Sequence, residues 1–183
     1  MRTPDLLMAA VAAPWGTIHV AVSERGVVAL ETLTPHEAFV EGLERRFGRE
    51  VGEGQSDLLD DAQRQLEEYL RGKRHEFEIA IDLGDRPAWD QTVLAAVKEI
   101  PWGVAVSYGT LARAVDRPGA ARAVGGAVGR SPIGIVVPCH RVIAADGTLG
   151  GYGGDWFGSR ERGLELKQEL LALEGLDIRR RRA

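Results

Sequence analysis

The chain has 183 residues, of which 44% are hydrophobic and 27% charged, a composition typical of a globular protein with enough apolar side chains for one large core or two small ones. No apolar run reaches the ~18 residues of a membrane span, and the first residues lack the basic-then-apolar order of a signal peptide, which predicts a cytoplasmic protein. The single cysteine excludes an internal disulfide and a cysteine-rich zinc site, and it fits a reducing compartment.

The two halves of the chain differ in charge. Residues 1–85 contain 9 basic and 17 acidic side chains, whereas residues 86–183 contain 14 basic and 10 acidic ones, so a net charge of −8 is followed by one of +4. The second half includes four consecutive arginines at 179–182. An excess of this size fits either a solvated surface with a basic tail or a surface that faces phosphates.

The first half is predicted to form a small antiparallel sheet with two helices. Hydrophobic residues alternate over 20–22 and 27–30 on either side of a turn at Gly26, as in two paired strands. Apolar residues then recur at helical spacing over 35–47 and again after Ser56, a good N-cap residue.

The boundary between two domains is predicted near residue 85. A strand is expected at 77–81, and the polar, glycine-containing stretch 82–86 follows it. This gives an N-terminal α/β domain at 1–85, a helical domain at 86–176 and a basic tail at 177–183.

The second half is predicted to be mostly helical. A helix begins at Pro87 and ends before Pro101. Two short helices at 107–115 and 120–128, joined by a turn at 116–119, fit a helix-turn-helix. The whole chain is thus predicted to be α+β, with the sheet in its first half. The apolar residues that share one face of the helix after Pro87 are Trp89, Val93, Val97 and Ile100.

The second helix of the helix-turn-helix has almost no large side chains. It contains Gly125 and Gly126, each of which costs ~1 kcal/mol of helix stability relative to alanine, so we expect close approach to another surface to offset them. The helix either packs tightly against a neighbouring helix or enters a narrow groove with Arg122 as its one long side chain. Few of its residues are the bulky polar ones that read bases in the major groove, which favours binding without sequence preference.

Cys139 lies between two apolar runs and directly before His140. A lone cysteine is either an inert small hydrophobe or a nucleophile that acts by itself. Pro138 cannot continue a sheet ladder, so we expect a strand from Ile133 to end there and to bring Cys139 to an edge or a cavity.

The motif Pro138-Cys139-His140-Arg141-Val142 resembles the active-site motif of the methylated-DNA:protein-cysteine methyltransferases, the O-6-alkylguanine-DNA alkyltransferases. The resemblance extends from Pro101 to Gly175 in the family's order, and residues 1–85 resemble the family's N-terminal domain more loosely, through Ala13-Pro14-Trp15-Gly16. The other segments that carry it are Val106-Ser107-Tyr108, Ala120-Ala121-Arg122-Ala123-Val124-Gly125-Gly126-Ala127, Leu149-Gly150-Gly151-Tyr152 and Leu170-Leu171-Ala172-Leu173-Glu174-Gly175.

The resemblance implies a fold, a function and a partner. The fold would be a ribonuclease-H-like domain with a small mixed or antiparallel sheet, followed by a winged-helix-like catalytic domain. The function would be direct-reversal DNA repair, in which the alkyl group of O-6-alkylguanine moves irreversibly to Cys139, once per molecule and without a cofactor or a metal. The partner would be double-stranded DNA that contains O-6-alkylguanine, bound by a monomer.

The resemblance also implies roles for individual residues. The catalytic residues would be Cys139, His140, Glu174 and Tyr108. The substrate-binding residues would be Tyr108, Ser131, Val142, Tyr152, Gly153 and Lys167. The DNA-binding residues would be Tyr108, Ala120, Ala121, Arg122, Gly125, Arg130 and Arg141.

Some of these roles are specific. Arg122 would take the place of the base extruded from the duplex, and Lys167 would lie near the leaving oxygen. Tyr108 would donate its hydroxyl to the purine, Tyr152 would form a pocket wall, and carbonyls near Cys139 and Val142 would accept from the exocyclic amine.

The thiol needs activation, because an unperturbed cysteine is only a few per cent thiolate near neutral pH. Side chains of neighbours in an extended segment point to opposite faces, so Cys139 and His140 would need a bridging water or a bend to communicate. The family uses a Glu-His-water-Cys relay, and Glu174 matches its glutamate. In that role Glu174 would hold the tautomer of His140, as the third member of a hydrolytic triad does.

The chain departs from the family pattern at two places. Ser131 stands before Pro132 where the family usually has asparagine, which offers more hydrogen bonds to brace the turn. Residues 155–162 are an insertion before Gly163, and it leaves the alignment of Lys167 and Glu174 open.

The insertion is either a plain surface loop or part of the site. Trp156 and Phe157 are costly to leave in water, so our hypothesis is that they cover the alkylguanine pocket as a lid. Arg160 and Arg162 would then reach a phosphate, and deletion of residues 155–162 would leave the fold intact.

Two other functions remain open on the sequence. One is a protein that recognises alkyl lesions without repairing them, although relatives with that role lack the cysteine. The other is a cysteine hydrolase, which also needs a Cys-His pair but turns over many times.

Overall fold

The computed structural model describes residues 6–153 and 159–179. The chain divides into two compact units, residues 1–83 and 84–183. No helix in the described part of the chain combines the length and apolarity needed to cross a bilayer.

The first unit is built on a four-stranded sheet. Its strands are β1 (Leu6–Ala13), β2 (Gly16–Ser23), β3 (Gly26–Thr32) and β4 (Val51–Glu53), in the spatial order β3-β2-β1-β4. β1 pairs with β2 and β2 with β3 in antiparallel fashion, whereas β1 and β4 are parallel, so the sheet is mixed. The strands predicted at 20–22 and 27–30 lie inside β2 and β3.

Two helices cover this sheet, α1 (His36–Phe47) and α2 (Asp57–Leu70). Ser56 caps α2, and its Oγ accepts a hydrogen bond from the Leu59 amide at 3.2 Å, as the sequence predicts. β2 is buried at five consecutive positions, which requires cover on both faces because neighbouring side chains of a strand point in opposite directions. Phe39 belongs to the cluster on the α1 side, while α2 packs against β1 and β2.

The strand predicted at 77–81 forms only one bridge, between Ile81 and Val27. The Val27 amide donates to the Ala80 carbonyl at 2.9 Å, and the Asp82 amide donates to the Val27 carbonyl at 2.8 Å. A Cβ on Gly26 would lie 2.8 Å from the Ala80 backbone, so this crossing requires glycine. Residues 77–81 therefore contact the sheet at one end only and do not form a full strand.

The second unit is mostly helical. It contains the helix-turn-helix, which is formed by α4 (Tyr108–Ala114) and α5 (Ala121–Gly129). Ser107 caps α4, and its Oγ accepts from the Thr110 amide at 3.0 Å. A two-stranded parallel pair, β5 with β6, completes the unit and confirms the α+β class. The elements are α3 (Ala88–Lys98), β5 (Val106–Ser107), α4 (Tyr108–Ala114), α5 (Ala121–Gly129), a 3-10 helix (Cys139–Arg141), β6 (Val142–Ile143) and α6 (Arg160–Leu173).

The prediction of a strand leading from Ile133 to Pro138 is wrong. Residues 134–136 form a turn, and Ile135 has a φ of 65°. Residues 135–137 are buried whichever way they point, and a short buried run carries no periodicity that could separate a strand from a turn. Pro138 precedes the 3-10 helix and does not terminate a strand.

Candidate active site

Cys139 is the first residue of the 3-10 helix and is 5% exposed. It lines a cavity of about 290 Å³, so the thiol lies where the interior meets an opening that a ligand can enter. The other residues that line this cavity are Tyr108, Gly125, Val128, Gly129, Gly151, Tyr152, Gly153 and Arg160.

Burial raises the pKa of the Cys139 thiol from 9.0 to about 11. The Ser131 side chain and the positive charge of Lys167 oppose this rise without cancelling it. The thiol is therefore protonated at neutral pH. A reaction at Cys139 requires a base that takes the proton as the new bond forms.

A group of three buried charged or polar side chains, which we call the charge cluster, consists of His140, Arg141 and Glu174. His140 Nε2 lies 2.7 Å from Glu174 Oε1. Arg141 donates from Nε to Glu174 Oε2 at 2.8 Å and from Nη2 to Oε1 at 2.9 Å, and its Nη1 donates to the Ile100 carbonyl. Glu174 is at the C-terminal end of α6, so this helix brings the carboxylate to the 3-10 helix.

The charge cluster and its burial shift the pKa of Glu174 and of His140. Burial by itself raises the pKa of Glu174, but hydrogen bonds from His140 and Arg141 and their charges outweigh it and lower the pKa to about 2. Burial lowers the pKa of His140, against the opposing effect of Glu174. A carboxylate only accepts hydrogen bonds, so a neutral His140 carries its proton on Nε2 and has the lone pair of a base on Nδ1.

The 3-10 helix changes the expected relation between Cys139 and His140. We predicted an extended segment with the two side chains on opposite faces, whereas neighbours in a 3-10 helix diverge by about 120°. The two side chains still point apart in this turn, so the bridging water remains the expected link between them.

Arg141 was expected to bind DNA, and the structure corrects this expectation. Its side chain is 6% exposed, and its guanidinium is bonded to Glu174 and to the Ile100 carbonyl. A buried carboxylate needs a countercharge, and Arg141 supplies it. The sequence reasoning missed this role, since arginine in a DNA-binding motif suggests phosphate contact.

Lys167 was expected beside the leaving oxygen, and the structure corrects this as well. The ammonium is fully buried and donates to the carbonyls of Val142 at 2.6 Å, Leu149 at 2.6 Å and Gly151 at 2.8 Å. These bonds use all three of its donors, so none is left for a substrate oxygen. Lys167 joins the strand after the cysteine to the segment that carries Tyr152, and burial lowers its pKa to about 7.

Tyr108 and Tyr152 both line the cavity, as the predicted substrate contacts should. The Tyr108 hydroxyl donates to the Gly151 carbonyl at 3.5 Å, and burial raises the pKa of both tyrosines, so both stay protonated. Gly150 has a φ of +71°, and a Cβ there would lie 3.3 Å from the Tyr108 ring. This glycine makes room for the tyrosine.

The other predicted substrate contacts lie around the same cysteine. Gly153 lines the cavity, and the Ser131 side chain acts on Cys139 by lowering the pKa of its thiol. Val142 is buried in β6, and its carbonyl accepts from Lys167. A carbonyl has two lone pairs, so the expected acceptance from a guanine amine needs the second one.

The predicted DNA-binding residues of the helix-turn-helix differ in their bonding. Arg122 is exposed and makes no hydrogen bond or ion pair with another described residue. Arg130 is also exposed but donates from Nε and Nη2 to Asp90 at 2.9 and 2.7 Å. Ala120 and Ala121 are half-buried at the start of α5.

Gly125 of α5 faces the Tyr108 ring. A Cβ built there would lie 3.7 Å from the ring, which is an ordinary contact. Packing within the unit therefore does not require glycine at this position. At Gly125 the tight-packing explanation loses support, whereas at Gly126 a Cβ would lie 3.1 Å from the Arg130 guanidinium.

The insertion is described only in part. Residues 155–158 lie outside the described residues, and with them the predicted lid of Trp156 and Phe157. Ser159 caps α6 through its Oγ, which accepts from the Arg162 amide at 3.2 Å, and Arg160 to Arg162 form the first turn. Deletion of 155–162 would thus remove a helix cap and a helical turn, contrary to the expectation of an intact fold.

Several residues at the site were not predicted as site residues. Arg160 lines the cavity, although we had expected it at a phosphate, and Asp90 holds Arg130. Val128 and Gly129, at the end of α5, also line the cavity, as does Gly151. For Gly129 and Gly151 the residue type is itself a signal, since glycine permits close approach of the backbone.

Both units match models of one protein family. Residues 6–83 match the ribonuclease-like domain of 6-O-methylguanine DNA methyltransferase, and residues 88–176 match its DNA binding domain. The chain is 34% identical over 157 residues to the inducible methylated-DNA–protein-cysteine methyltransferase of Bacillus subtilis, across 85% of this chain and 83% of that protein. It is 50% identical over 110 residues to the methylated-DNA–protein-cysteine methyltransferase of Mycolicibacterium paratuberculosis, an alignment that spans 61% of that relative.

Solved structures agree with these matches. The structure of Mycobacterium tuberculosis OGT in complex with DNA superposes with a TM-score of 0.75 at 33% identity, over 94% of this chain and 95% of that one. The O6-methylguanine-DNA methyltransferase of Pyrococcus kodakaraensis superposes with a TM-score of 0.69 at 25% identity, over 93% and 99%.

Proposed function

The chain belongs to the methylated-DNA–protein-cysteine methyltransferase family, and on that premise we propose that it repairs DNA by moving the alkyl group of O-6-alkylguanine to Sγ of its own Cys139. The transfer happens once per molecule, because a thioether is not hydrolysed under mild conditions. The reaction needs neither a cofactor nor a metal.

One observation carries this proposal: the only thiol of the chain lines a cavity and precedes a buried histidine that is bonded to a carboxylate. An inert core cysteine has no need for a neighbouring base or for an opening. The raised pKa of Cys139 explains why the base is needed, since the resting thiol is protonated.

The proposed reaction proceeds in one displacement. Neutral His140 takes the proton of Cys139, through a bridging water as in the family's relay, while Glu174 stabilises the imidazolium that forms. Sγ attacks the alkyl carbon bonded to O-6, the carbon–oxygen bond breaks, and its electron pair passes to the guanine. The Tyr108 hydroxyl exchanges its long, 3.5 Å bond to the Gly151 carbonyl for a bond to the purine as negative charge develops there.

The proposed approach to the base is extrusion from the duplex. α5 enters the minor groove, and Arg122 fills the space that the flipped nucleotide leaves, which offsets part of the few kcal/mol that extrusion costs. Two observations support this role. Arg122 is exposed and bonds to no other described residue, and the other side chains of α5 are small. Arg130 and the alanines at the start of α5 would face the DNA backbone.

Two further features belong to the proposal. The cytoplasm is the proposed compartment, because an acceptor thiol has to stay reduced. The protein would act as a monomer, since a single chain carries every group that the displacement uses.

The experiment that tests this function is a measurement of stoichiometry. The protein is incubated with excess duplex DNA that carries one O-6-methylguanine, and its intact mass is followed. We expect one methyl group per chain and none on Cys139→Ser. A Ser23→Ala variant, altered in the first unit, serves as a control and should accept the methyl group like the parent.

The same experiment separates the alternative functions. A cysteine hydrolase would release product many times without keeping the group, and a protein that only recognises lesions would bind the DNA without gaining mass. Removal of several methyl groups per chain would contradict the proposal.

A further inference from the structure

Arg160 is the one charged side chain among the described residues that line the cavity at Cys139. Its backbone is held by the start of α6, where the Ser159 side chain accepts from the Arg162 amide at 3.2 Å and the Ser159 carbonyl accepts from the Gly163 amide at 3.2 Å. Arg160 therefore lines the cavity from the first turn of α6.

The charge of Arg160 has no countercharge among the described residues, whereas the neighbouring Arg162 is paired with Glu165 at 3.0 Å. The other polar side chains that line the cavity are Tyr108, Tyr152 and the Cys139 thiol, and burial raises the pKa of each of them. All three are uncharged before the reaction starts. Among the described residues that line the cavity, a ligand thus meets one positively charged side chain and none that is negative.

The reaction itself brings a negative charge into this space. Sγ of Cys139 becomes anionic as it loses its proton, so an alkyl group that ends in a carboxylate places a second anion next to the first. Repulsion between the two would slow the transfer of such a group. A guanidinium beside the cavity offsets the repulsion, and its planar pair of donors matches both oxygens of a carboxylate.

We infer that Arg160 fits the site to O-6 adducts that end in an anion, of the carboxyalkyl class. The inference rests on the proposed function, because it concerns which alkyl groups that reaction accepts. The N-terminal end of α6 adds partial positive charge of the same sign at the same place.

The chemistry of such a transfer balances without a further reactant. Sγ bonds to the methylene carbon of a carboxymethyl group, the bond from that carbon to O-6 breaks, and the electron pair stays with the guanine. The guanine gains a proton and the thiol loses one. The carboxylate is unchanged, and the products are S-carboxymethyl-Cys139 and unmodified guanine.

The test compares two adducts of the same shape that differ in charge. Single-turnover rates are measured at saturating protein on duplexes that carry O-6-carboxymethylguanine or the neutral O-6-carbamoylmethylguanine. In Arg160→Gln, the ratio of the carboxymethyl rate to the carbamoylmethyl rate should fall by about threefold to fivefold, the size expected for a partly exposed ion pair. Arg160→Lys should restore most of the ratio, and added salt should reduce it in the parent.

Arg162→Gln is the matched control, since it removes an equal charge two residues away from a side chain that does not line the cavity. It should keep the ratio of the parent. An unchanged ratio in Arg160→Gln, or an equal fall in both variants, would overturn the inference. A third duplex with O-6-methylguanine tests the proposed function separately, because that function fails only if the parent protein takes up no methyl group.

Discussion

The charged side chains near Cys139 fall into two groups that differ in their bonding. In the charge cluster, Arg141 and Glu174 bind each other and His140 in the interior. At the surface of the same unit, Arg122 and Arg160 have no partner among the described residues. Buried charge has to be paired, while exposed charge is available to a ligand, so the comparison separates the residues proposed to act on the thiol from those free to meet the proposed substrate.

The largest effect should follow from breaking the charge cluster. Glu174→Ala leaves the guanidinium of Arg141 buried without its countercharge, and we expect the free energy of unfolding to fall by about 3–5 kcal/mol. Urea unfolding followed by tryptophan fluorescence measures the change. Glu165→Ala is the control, because its exposed pair with Arg162 should contribute no more than about 1 kcal/mol.

The Glu174 carboxylate should also make the stability of the fold depend on pH in the acid range. The pKa of Glu174 is lowered from 4.5 to about 2 in the folded protein, so its ionised form stabilises the fold above pH 4.5. This contribution disappears as the pH falls from 4.5 towards 2. Glu174→Gln, which keeps the shape of the side chain, should lose less stability than the parent over this interval. An identical acid dependence in both proteins would show that the pair with Arg141 does not hold the carboxylate ionised.

An intermediate effect is expected at the surface. Arg122→Ala should slow transfer from duplex DNA by roughly tenfold or more, because the few kcal/mol that base extrusion costs are no longer offset. Its reaction with a free O-6-alkylguanine base should not change, since a free base needs no extrusion. Rates of alkyl uptake on the two substrates are the measurement.

Arg117→Ala is the control for Arg122, as it removes the same charge from an exposed position in the preceding turn. It should affect duplex affinity modestly and the extrusion step not at all. Equal losses on duplex and free base in Arg122→Ala would assign Arg122 to the structure of α5 and not to the DNA.

The smallest effect concerns the glycine that faces Tyr108. Gly125→Ala should raise the stability of the protein by up to ~1 kcal/mol, since the new methyl group meets the ring at an ordinary 3.7 Å and alanine favours the helix. If α5 enters a groove, the same methyl group should weaken duplex binding severalfold. Thermal unfolding and fluorescence anisotropy with a labelled duplex test the two parts.

Gly42→Ala in α1 is the matched control, because a Cβ there meets nothing within 4 Å. It should bring the gain in stability without any loss of DNA affinity. A loss of stability in Gly125→Ala would instead support tight packing of α5 against its own unit.

The sequence by itself determined those elements whose signals are local. The helical spacing after Ser56 and the cap at Ser56 predicted α2, which the structure contains, because a cap and a periodic apolar face act within one or two turns. The motif around Cys139, with the segments before and after it in the family's order, identified the family. All of these depend on residues that are near one another in the chain.

The tertiary structure alone decided the bonding of the buried charges and the path of the chain before Cys139. Arg141 reaches a carboxylate 33 positions away, and Lys167 reaches the Val142 carbonyl 25 positions away. Neither partner can be read from a local pattern, since a buried charge is paired by whichever element packs against it. The run before Cys139 is apolar because it is enclosed on all sides, and such burial leaves no periodicity from which a strand and a turn can be told apart.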